Sequence, residues 1–154
     1  MNAHDLIKQD HEEARALYRE FEGAQGEEQT NLGKELVTLL TVHASVEEEL
    51  YYPEFEKAGE KDTFNEFEAE HAEAKTLITK LVRMDASDEE YAPTMKALME
   101  AVEHHAQEEE TEGMPLAETF LSEEDLSILG AKMAARKEEL EESTLKRLWA
   151  AITD

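Results

Sequence analysis

The sequence predicts an all-helical bundle. Apolar residues recur at steps of three and four through several long segments, which is the spacing of one face of an α-helix. The 154 residues include only three prolines and six glycines, so few residues interrupt these segments. Hydrophobic residues make up 40% of the chain. A chain of this length and composition buries a core of its own, most simply as one domain.

The first two predicted helices place polar residues on their apolar stripes. Residues 3–21 form the first helix, with a stripe that advances by steps of four, three, four and three. The second helix is expected to begin near residue 31, and Pro53 to bend or end it. Aromatic residues on the stripes, together with Tyr51 and Tyr52, are expected in the core. The stripes of these two helices include His11, His43 and Glu47.

The next two helices repeat this arrangement. The third has its stripe over residues 64–81 and ends in the polar run 85–90. Pro93 suits the first turn of the fourth helix, which Gly113 and Pro115 are expected to break. The polar residues on these two stripes are His71, His105 and Glu109.

A fifth, longer helix is expected after Pro115. Ser122 is a good N-cap, and acidic residues follow it in the first turn, where the helix dipole favours them. Some 28 residues should then be helical, packing along the bundle or across its end; self-association through this helix is the alternative. Its apolar contacts are expected from Leu126, Leu129, Met133, Leu140, Leu148, Trp149 and Ile152.

Composition excludes several classes of function. The formal net charge of −24 argues against nucleic-acid binding and against docking on anionic membranes. The chain has no cysteine, so disulfides, thiolate metal sites and cysteine catalysis are excluded. It shows no long apolar run and no signal-peptide pattern, so we expect a soluble cytoplasmic protein.

Two related segments point to a metal site. VHASVEEELYYP at residues 42–53 and VEHHAQEEETEGMP at residues 102–115 each hold a histidine with a glutamate four residues later and a proline ten residues later. Residues four apart lie on one helix face, so each pair aims an imidazole and a carboxylate at one point. The separations from His11 to His43 and from His71 to His105 are 32 and 34 residues, as expected for two related hairpins.

The fourth helix offers two such pairs, because His104 and Glu108 are also four residues apart. His105 and Glu109 continue the apolar stripe, whereas the other pair falls about 100° away on the helix. Only His105 has the same spacing to its proline as His43. The register therefore selects His105 and Glu109.

The types of donor atom limit which metal ions the site can bind. A lone histidine on an apolar stripe is more often a packed core residue, but four helices carry one here, and buried carboxylates are costly unless paired or bound to metal. Four imidazoles and two carboxylates suit iron, manganese or zinc better than calcium or magnesium. A ferritin-like site would need Glu-x-x-His on two helices, and the chain offers one instance, Glu68 to His71, off the stripe.

The motif LIKQDHEEARALY around His11, the two His-x-x-x-Glu-Glu segments with their prolines and the Glu70–His71 pair resemble the hemerythrin HHE cation-binding family over about residues 5–115. The resemblance implies an up-down four-helix bundle with a non-haem di-iron centre. Residues 1–115 would form the bundle and residues 116–154 a C-terminal helical extension. It also implies four terminal ligands and two bridging carboxylates, at His11, His43, His71 and His105 and at Glu47 and Glu109 respectively.

The sequence departs from the oxygen-carrying members of the family. Their third helix has two histidines one turn apart, whereas Lys75 follows His71 by four residues here. Their fourth helix has an aspartate five residues after the histidine, whereas a glutamate stands at four here. These differences argue against reversible oxygen carriage. Tyr18 and His4, each seven residues from His11, are further candidates to join the site.

The resemblance implies two iron ions bridged by oxide, hydroxide or water, with manganese or zinc as possible substitutes. The function expected is to bind or react with a small oxidant: oxygen, nitric oxide or peroxide. Alternatives are a redox enzyme that removes peroxide or nitric oxide, an iron sensor or store, and a structural acidic bundle. Whether the protein turns over a substrate stays open. The expected partners are a small diatomic or peroxide ligand, with no nucleic acid and no membrane, in a monomer or a weak homodimer formed through the C-terminal helix.

Overall fold

The computed structural model describes the backbone of residues 1–153 and the side chains of residues 1–149; the side chain of Ile152, expected to pack in the last helix, lies outside that range. Every element in the described chain is helical, which confirms the predicted bundle with an additional C-terminal helix. The elements are α1 (Ala3–Gly23), α2 (Gly26–Val46), a first π-helical turn (Glu47–Tyr51), α3 (Tyr52–Lys57), α4 (Lys61–Leu81), α5 (Tyr91–Glu108), a second π-helical turn (Glu109–Gly113), α6 (Met114–Ala117) and α7 (Glu123–Thr153).

Several helix ends follow from local chemistry. Asn2 caps α1, accepting the N–H of Asp5 at 2.9 Å and donating its own N–H to the Asp5 carboxylate at 3.0 Å. Ser122 and Asp125 form the same reciprocal pair at the start of α7. The second helix begins at Gly26, five residues before the predicted start. Gly26 has a φ of +59°, which glycine adopts readily, so the chain reverses here without a longer loop.

Neither Pro53 nor Pro115 ends its helix: Pro53 was expected to bend or end the second helix, whereas the break expected at Gly113 and Pro115 does not occur. Each helix instead passes through a π-helical turn and continues as α3 or α6. The N–H of Tyr52 bonds to the carbonyl of Glu47, and the N–H of Met114 to that of Glu109, five residues back in each case. Each proline thus lies at the start of a new α-helical segment, where its missing N–H leaves no bond unmade.

The hydrophobic core has two halves. One half includes Tyr51, Phe55 and Phe67, and the other includes Phe21 and Leu98. In α1 and α4 the residues of the first half precede the histidine and those of the second half follow it. The order is reversed along α2 and along α5, where the first half begins at Val42 and at Met114 of α6. The polar residues of the stripes therefore form a layer between two apolar regions.

Helix α7 lies along α1 and α2. Gly130 allows the close approach, since a Cβ atom there would stand 2.6 Å from the carbonyl oxygen of Met1. Trp149 donates its indole N–H to Thr38 Oγ1 at 2.9 Å, and Arg136 binds Glu49 at 2.7 Å. Within the part of the chain that the structure describes, no helix is long and apolar enough to span a membrane.

Candidate metal centre

The six residues predicted from the stripes converge in the polar layer, and each is at most 8% exposed. They form two groups, in each of which one ligand atom per residue lies within 4.8 Å of the others. Each group pairs the two histidines of one helical hairpin with a glutamate from the other. The groups are His11, His43 and Glu109, and Glu47, His71 and His105.

Each glutamate also reaches histidines of both hairpins. Glu47 Oε1 lies 3.0 Å from Nε2 of His43 and 3.2 Å from Nε2 of His71. Glu109 Oε1 lies 3.2 Å from Nε2 of His11, and its Oε2 lies 3.4 Å from Nε2 of His105. Both carboxylates thus contact imidazoles of the two hairpins at once.

Several buried polar atoms in this layer make no hydrogen bond. His43 Nε2, Glu47 Oε2 and Glu109 Oε1 are buried without a hydrogen-bond partner. His43 Nε2 lies close to Glu47 but makes no hydrogen bond with it. A buried polar atom without a partner costs about 1–3 kcal/mol. Imidazole nitrogens and carboxylate oxygens facing one another in this way fit a pair of cations held between them.

A second set of carboxylates binds the Nδ1 atom of each of the four histidines in the two groups. The Nδ1 atoms lie 2.7–3.1 Å from carboxylate oxygens, a distance range at which each Nδ1–H is donated outward. This arrangement fixes the tautomer and turns every Nε2 towards the centre. The pairs are His43 with Asp10, His11 with Glu110, His71 with Glu48, and His105 with Glu70.

The carboxylates of this second set occupy regular positions in the sequence, each next to a residue of the two inner groups. Asp10 immediately precedes His11 but binds His43, and Glu70 immediately precedes His71 but binds His105. Glu48 and Glu110, directly after the two inner glutamates, likewise bind histidines of other helices. Adjacent residues point about 100° apart on a helix, so the neighbour of an inward residue faces the next helix. The acid next to each inward-facing residue is the signal that the sequence offered for these acceptors.

The charges of these groups shift their pKa values. Burial by itself lowers the pKa of His43, but the charge of Glu47 and the hydrogen bond to Asp10 raise it well above its usual value. Burial is likewise outweighed at His105, where Glu109, Glu47 and Glu70 raise the pKa to about 9. Burial raises the pKa of Glu109, yet its hydrogen bonds and the charge of His105 hold it well below the usual range. Metal binding here must therefore displace protons from imidazoles.

Tyr52 is buried in the core, as predicted, and its hydroxyl also reaches the centre of the site, which the sequence analysis did not predict. Its hydroxyl oxygen lies 2.7 Å from His105 Nε2, 2.9 Å from His71 Nε2, 2.8 Å from Glu109 Oε2 and 3.2 Å from Glu47 Oε1. Burial first, and then the charges of Glu109 and Glu47, raise the pKa of Tyr52 well above its usual value, so the hydroxyl keeps its proton.

The π-helical turn explains why Tyr52 was missed. On an α-helix a residue five positions after Glu47 points about 140° away from it. A π turn bonds residues five apart and brings Tyr52 back over Glu47. The shared spacing from glutamate to proline, six residues in both segments, was the signal for this turn.

The other candidates lie outside the two groups. Tyr18 stacks on Phe21 with ring centroids 6.1 Å apart. His4 Nε2 lies 2.8 Å from the hydroxyl of Tyr51. The side chain of His104 is 68% exposed and lies 3.1 Å from Glu108, so the register argument selected the buried pair of the two.

Comparisons with known proteins find a matching family, related sequences and a similar fold. The model of the family described as the hemerythrin HHE cation binding domain matches residues 2–117. The chain is 32% identical over 151 residues to an uncharacterised protein of Mycobacterium tuberculosis, covering 96% of this chain and 92% of that protein. It is 32% identical over 125 residues to an uncharacterised hemerythrin-like protein of Schizosaccharomyces pombe, covering 79% of this chain and 62% of that one. The crystal structure of a hemerythrin HHE cation binding domain-containing protein from Mycobacterium kansasii is similar with a TM-score of 0.84 and 31% identity, covering 96% of this chain and 92% of that chain.

Proposed function

The chain belongs to the hemerythrin HHE cation-binding domain family, and we propose that it holds two non-haem iron ions and binds or reacts with a small oxidant. One observation carries the proposal: each inner carboxylate touches histidines of both hairpins. A single ion would need only one of the two groups. The proposed ligands are His11, His43, Glu47, His71, His105 and Glu109.

The donor set favours a first-row transition metal. Four imidazoles and two carboxylates are borderline donors, whereas calcium and magnesium prefer shells made of oxygen. Manganese or zinc would find the same donors. Zinc has no redox change to offer an oxidant, whereas iron and manganese do, and iron is the metal that the family resemblance implies.

A bound pair of iron ions supplies two one-electron redox changes and open positions for oxygen, nitric oxide or peroxide. The chain supplies the surroundings. The two apolar halves flank the layer and leave each of the six proposed ligands at most 8% exposed. The outer carboxylates keep the Nδ1 protons and so keep each Nε2 directed inward.

Tyr52 favours a second candidate function, a redox enzyme that removes peroxide or nitric oxide. Its hydroxyl oxygen lies 2.8 Å from Glu109 Oε2 and 2.7 Å from His105 Nε2, so its proton is available at the centre for a reduced ligand. Lys75, at the position of the second histidine of oxygen carriers, instead binds Glu48 in the outer set of carboxylates. This difference also argues for reaction over reversible carriage.

We further propose that residues 1–115 form the metal-binding bundle and residues 116–154 an extension that supports it. The acidic surface and the lack of cysteine suit a cytoplasmic protein without a nucleic-acid partner. A weak homodimer would use α7, where Ile128 and Leu145 are about half exposed.

The experiment is to reduce the iron-loaded protein without air and to record its optical spectrum after adding oxygen, nitric oxide or hydrogen peroxide separately. A visible band that disappears when the gas is removed would indicate reversible binding. Rapid oxidation that does not reverse would favour the redox enzyme. No spectral response to any of the three would contradict both functions and leave iron sensing or storage.

A further inference from the structure

A cavity of about 360 Å³ lies directly beside the metal centre. All four proposed histidine ligands form one end of it, whereas Glu47, Glu109 and Tyr52 do not line it. Its other walls come from the core half that contains Leu40, Ile78 and Leu98, away from the half to which Tyr52 belongs. The cavity therefore approaches the centre from the side opposite the tyrosine.

The size of the cavity exceeds what oxygen, nitric oxide or hydrogen peroxide requires. It is about twelve times the ~30 Å³ that a water molecule occupies in the liquid. Protein cores normally leave few voids larger than one water molecule, and pockets for organic ligands begin at about 300 Å³. The volume fits an organic molecule of roughly ten non-hydrogen atoms.

The walls are mostly apolar: Asp10 and Glu70 line the cavity beside the histidines that they bind, and three hydroxyl side chains complete the polar part of the lining, those of Thr41, Ser45 and Thr79. Leucine, isoleucine, valine and alanine side chains cover the middle of the cavity, and α5 contributes Ala101 and Val102. A largely apolar lining with a polar end at the imidazoles fits a ligand that is apolar over most of its length and polar at one end.

Two basic residues lie at the entrance of the cavity, although the protein as a whole is acidic. Lys75 and Arg147 are exposed at the rim, in a chain with 39 acidic and 15 basic residues. Lys75 is paired with Glu48, and Asp10 and Glu70 line the cavity, so these charges offset one another and favour a neutral ligand. Arg147 and its neighbour Leu148 belong to α7, so the C-terminal helix helps to form the entrance.

We propose that this cavity binds an organic hydroperoxide, with its alkyl or aryl group between the apolar walls and its oxygen end at the histidines. The inference rests on the proposed function for the site of the oxidant. The cavity adds the class of oxidant: one with an apolar body of about ten non-hydrogen atoms.

The first test measures binding without chemistry. 2-Phenylpropan-2-ol has the apolar body of cumene hydroperoxide but lacks the O–O bond. Calorimetry should show one molecule bound per chain, both with and without iron. Ala101→Phe should weaken binding about tenfold or more, because the new ring fills the apolar part of the cavity. Ala97→Phe is the matched control: it lies one turn earlier on α5, is exposed and does not line the cavity.

A second pair guards against a folding defect in the first variant. Ala74→Leu also fills the cavity from α4, whereas Ala72→Leu is exposed two residues away. Both cavity variants should lose binding and both controls should keep it, with unchanged helical content and iron content. No binding to the wild-type chain, equal binding by all four variants, or tighter binding of octanoate than of the alcohol would overturn the proposal.

The second test separates this proposal from the proposed function. In this test the iron is first reduced without air, so that two irons would supply the two electrons which, with two protons, convert the hydroperoxide into its alcohol and water. Reduced, iron-loaded Ala101→Phe should consume cumene hydroperoxide about tenfold more slowly than the wild type, while its rate with hydrogen peroxide stays within about twofold. Equal slowing of both rates would make the cavity a general entrance and overturn the selectivity. If the alcohol binds but neither peroxide reacts, the proposed reaction with peroxide fails while the cavity remains a binding site for organic molecules.

Discussion

Lys137 Nζ of α7 lies 2.7 Å from Asp10 Oδ1, and the other oxygen of that carboxylate lies 2.8 Å from His43 Nδ1. Burial would raise the pKa of Asp10, but His43 and Lys137 together hold it below its usual value. The C-terminal helix thus reaches a proposed metal ligand through one carboxylate. This chain of contacts connects the extension to the bundle.

Removal of this charge should therefore weaken the centre. Lys137→Met keeps the length of the side chain and leaves Asp10 with one partner, His43. We expect iron to be lost about 10–100 times more readily, as is typical when a group that orients a metal ligand is removed. Competition with a chelator measures this effect. Lys146→Met, on the same helix but bound only to exposed Glu142, is the control. Equal retention of iron by both variants would disprove the connection.

The hydroxyl of Tyr52 should affect reaction more than folding. Tyr52→Phe keeps the ring packed against Phe67 and removes only the oxygen at the centre of the site. We expect a folded chain that binds iron but reduces peroxide about tenfold or more slowly, since a general acid typically contributes 10²–10⁴-fold. Stopped-flow absorbance measures the rate.

Tyr51→Phe is the matched control, because its hydroxyl contacts His4 and none of the six proposed ligands. If Tyr51→Phe slows the reaction as much as Tyr52→Phe, the position of the hydroxyl at the centre is irrelevant.

The stability of the metal-free protein should fall as the pH rises from about 6.5 to about 9. Burial opposes the charged form of His43, His71 and His105, but their carboxylate partners raise all three pKa values, that of His105 to about 9. Groups whose pKa is raised by folding stabilise the fold fully below the unfolded pKa, ~6.5, and lose that effect as the pH passes the folded value. Thermal melts in the presence of a chelator measure this decline.

His105→Gln should make this decline shallower, whereas His104→Gln, at an exposed neighbouring position, should leave it unchanged. A melting temperature that is constant or higher at pH 9 would contradict the ionic account of the metal-free site. The depressed pKa of Glu109 acts at the other end of the range, where stability is lost as the pH falls below its unfolded value, ~4.5.

The adjacent histidines of α5 test the choice of ligand. His105→Ala removes an imidazole whose Nε2 faces the centre, so we expect about one iron to be lost. His104→Ala removes an exposed side chain that contacts Glu108 and Glu70, so both irons should stay. Metal analysis of the two purified variants decides between them. Loss of iron only from His104→Ala would reverse the assignment.

The sequence was sufficient for the helices and for the residues that meet in the polar layer. Glu47 and Glu109 each stand in a run of three glutamates, and only the apolar stripe distinguished the buried one from its neighbours. That inference depends on helical periodicity, which a single sequence displays directly. Their role as metal ligands stays a prediction.

The remainder depends on relations between helices, which periodicity does not contain. The choice of His43 as the partner of Asp10 depends on how α1 is rotated against α2. The position of Tyr52 depends on one additional residue in a helical turn, and that residue shifts everything after it by about 100°. The π-helical hydrogen bonding thus brings the hydroxyl of Tyr52, a core residue, to the centre of the site.

The most direct test of the central claim is the number of irons that the purified chain holds and whether they are coupled to each other. Metal analysis with Mössbauer spectroscopy on iron-57-loaded protein measures both. Because Glu47 and Glu109 each touch histidines of both hairpins, we predict two irons per chain that are magnetically coupled through shared ligands. One iron per folded chain, or two irons without coupling, would contradict a bridged pair.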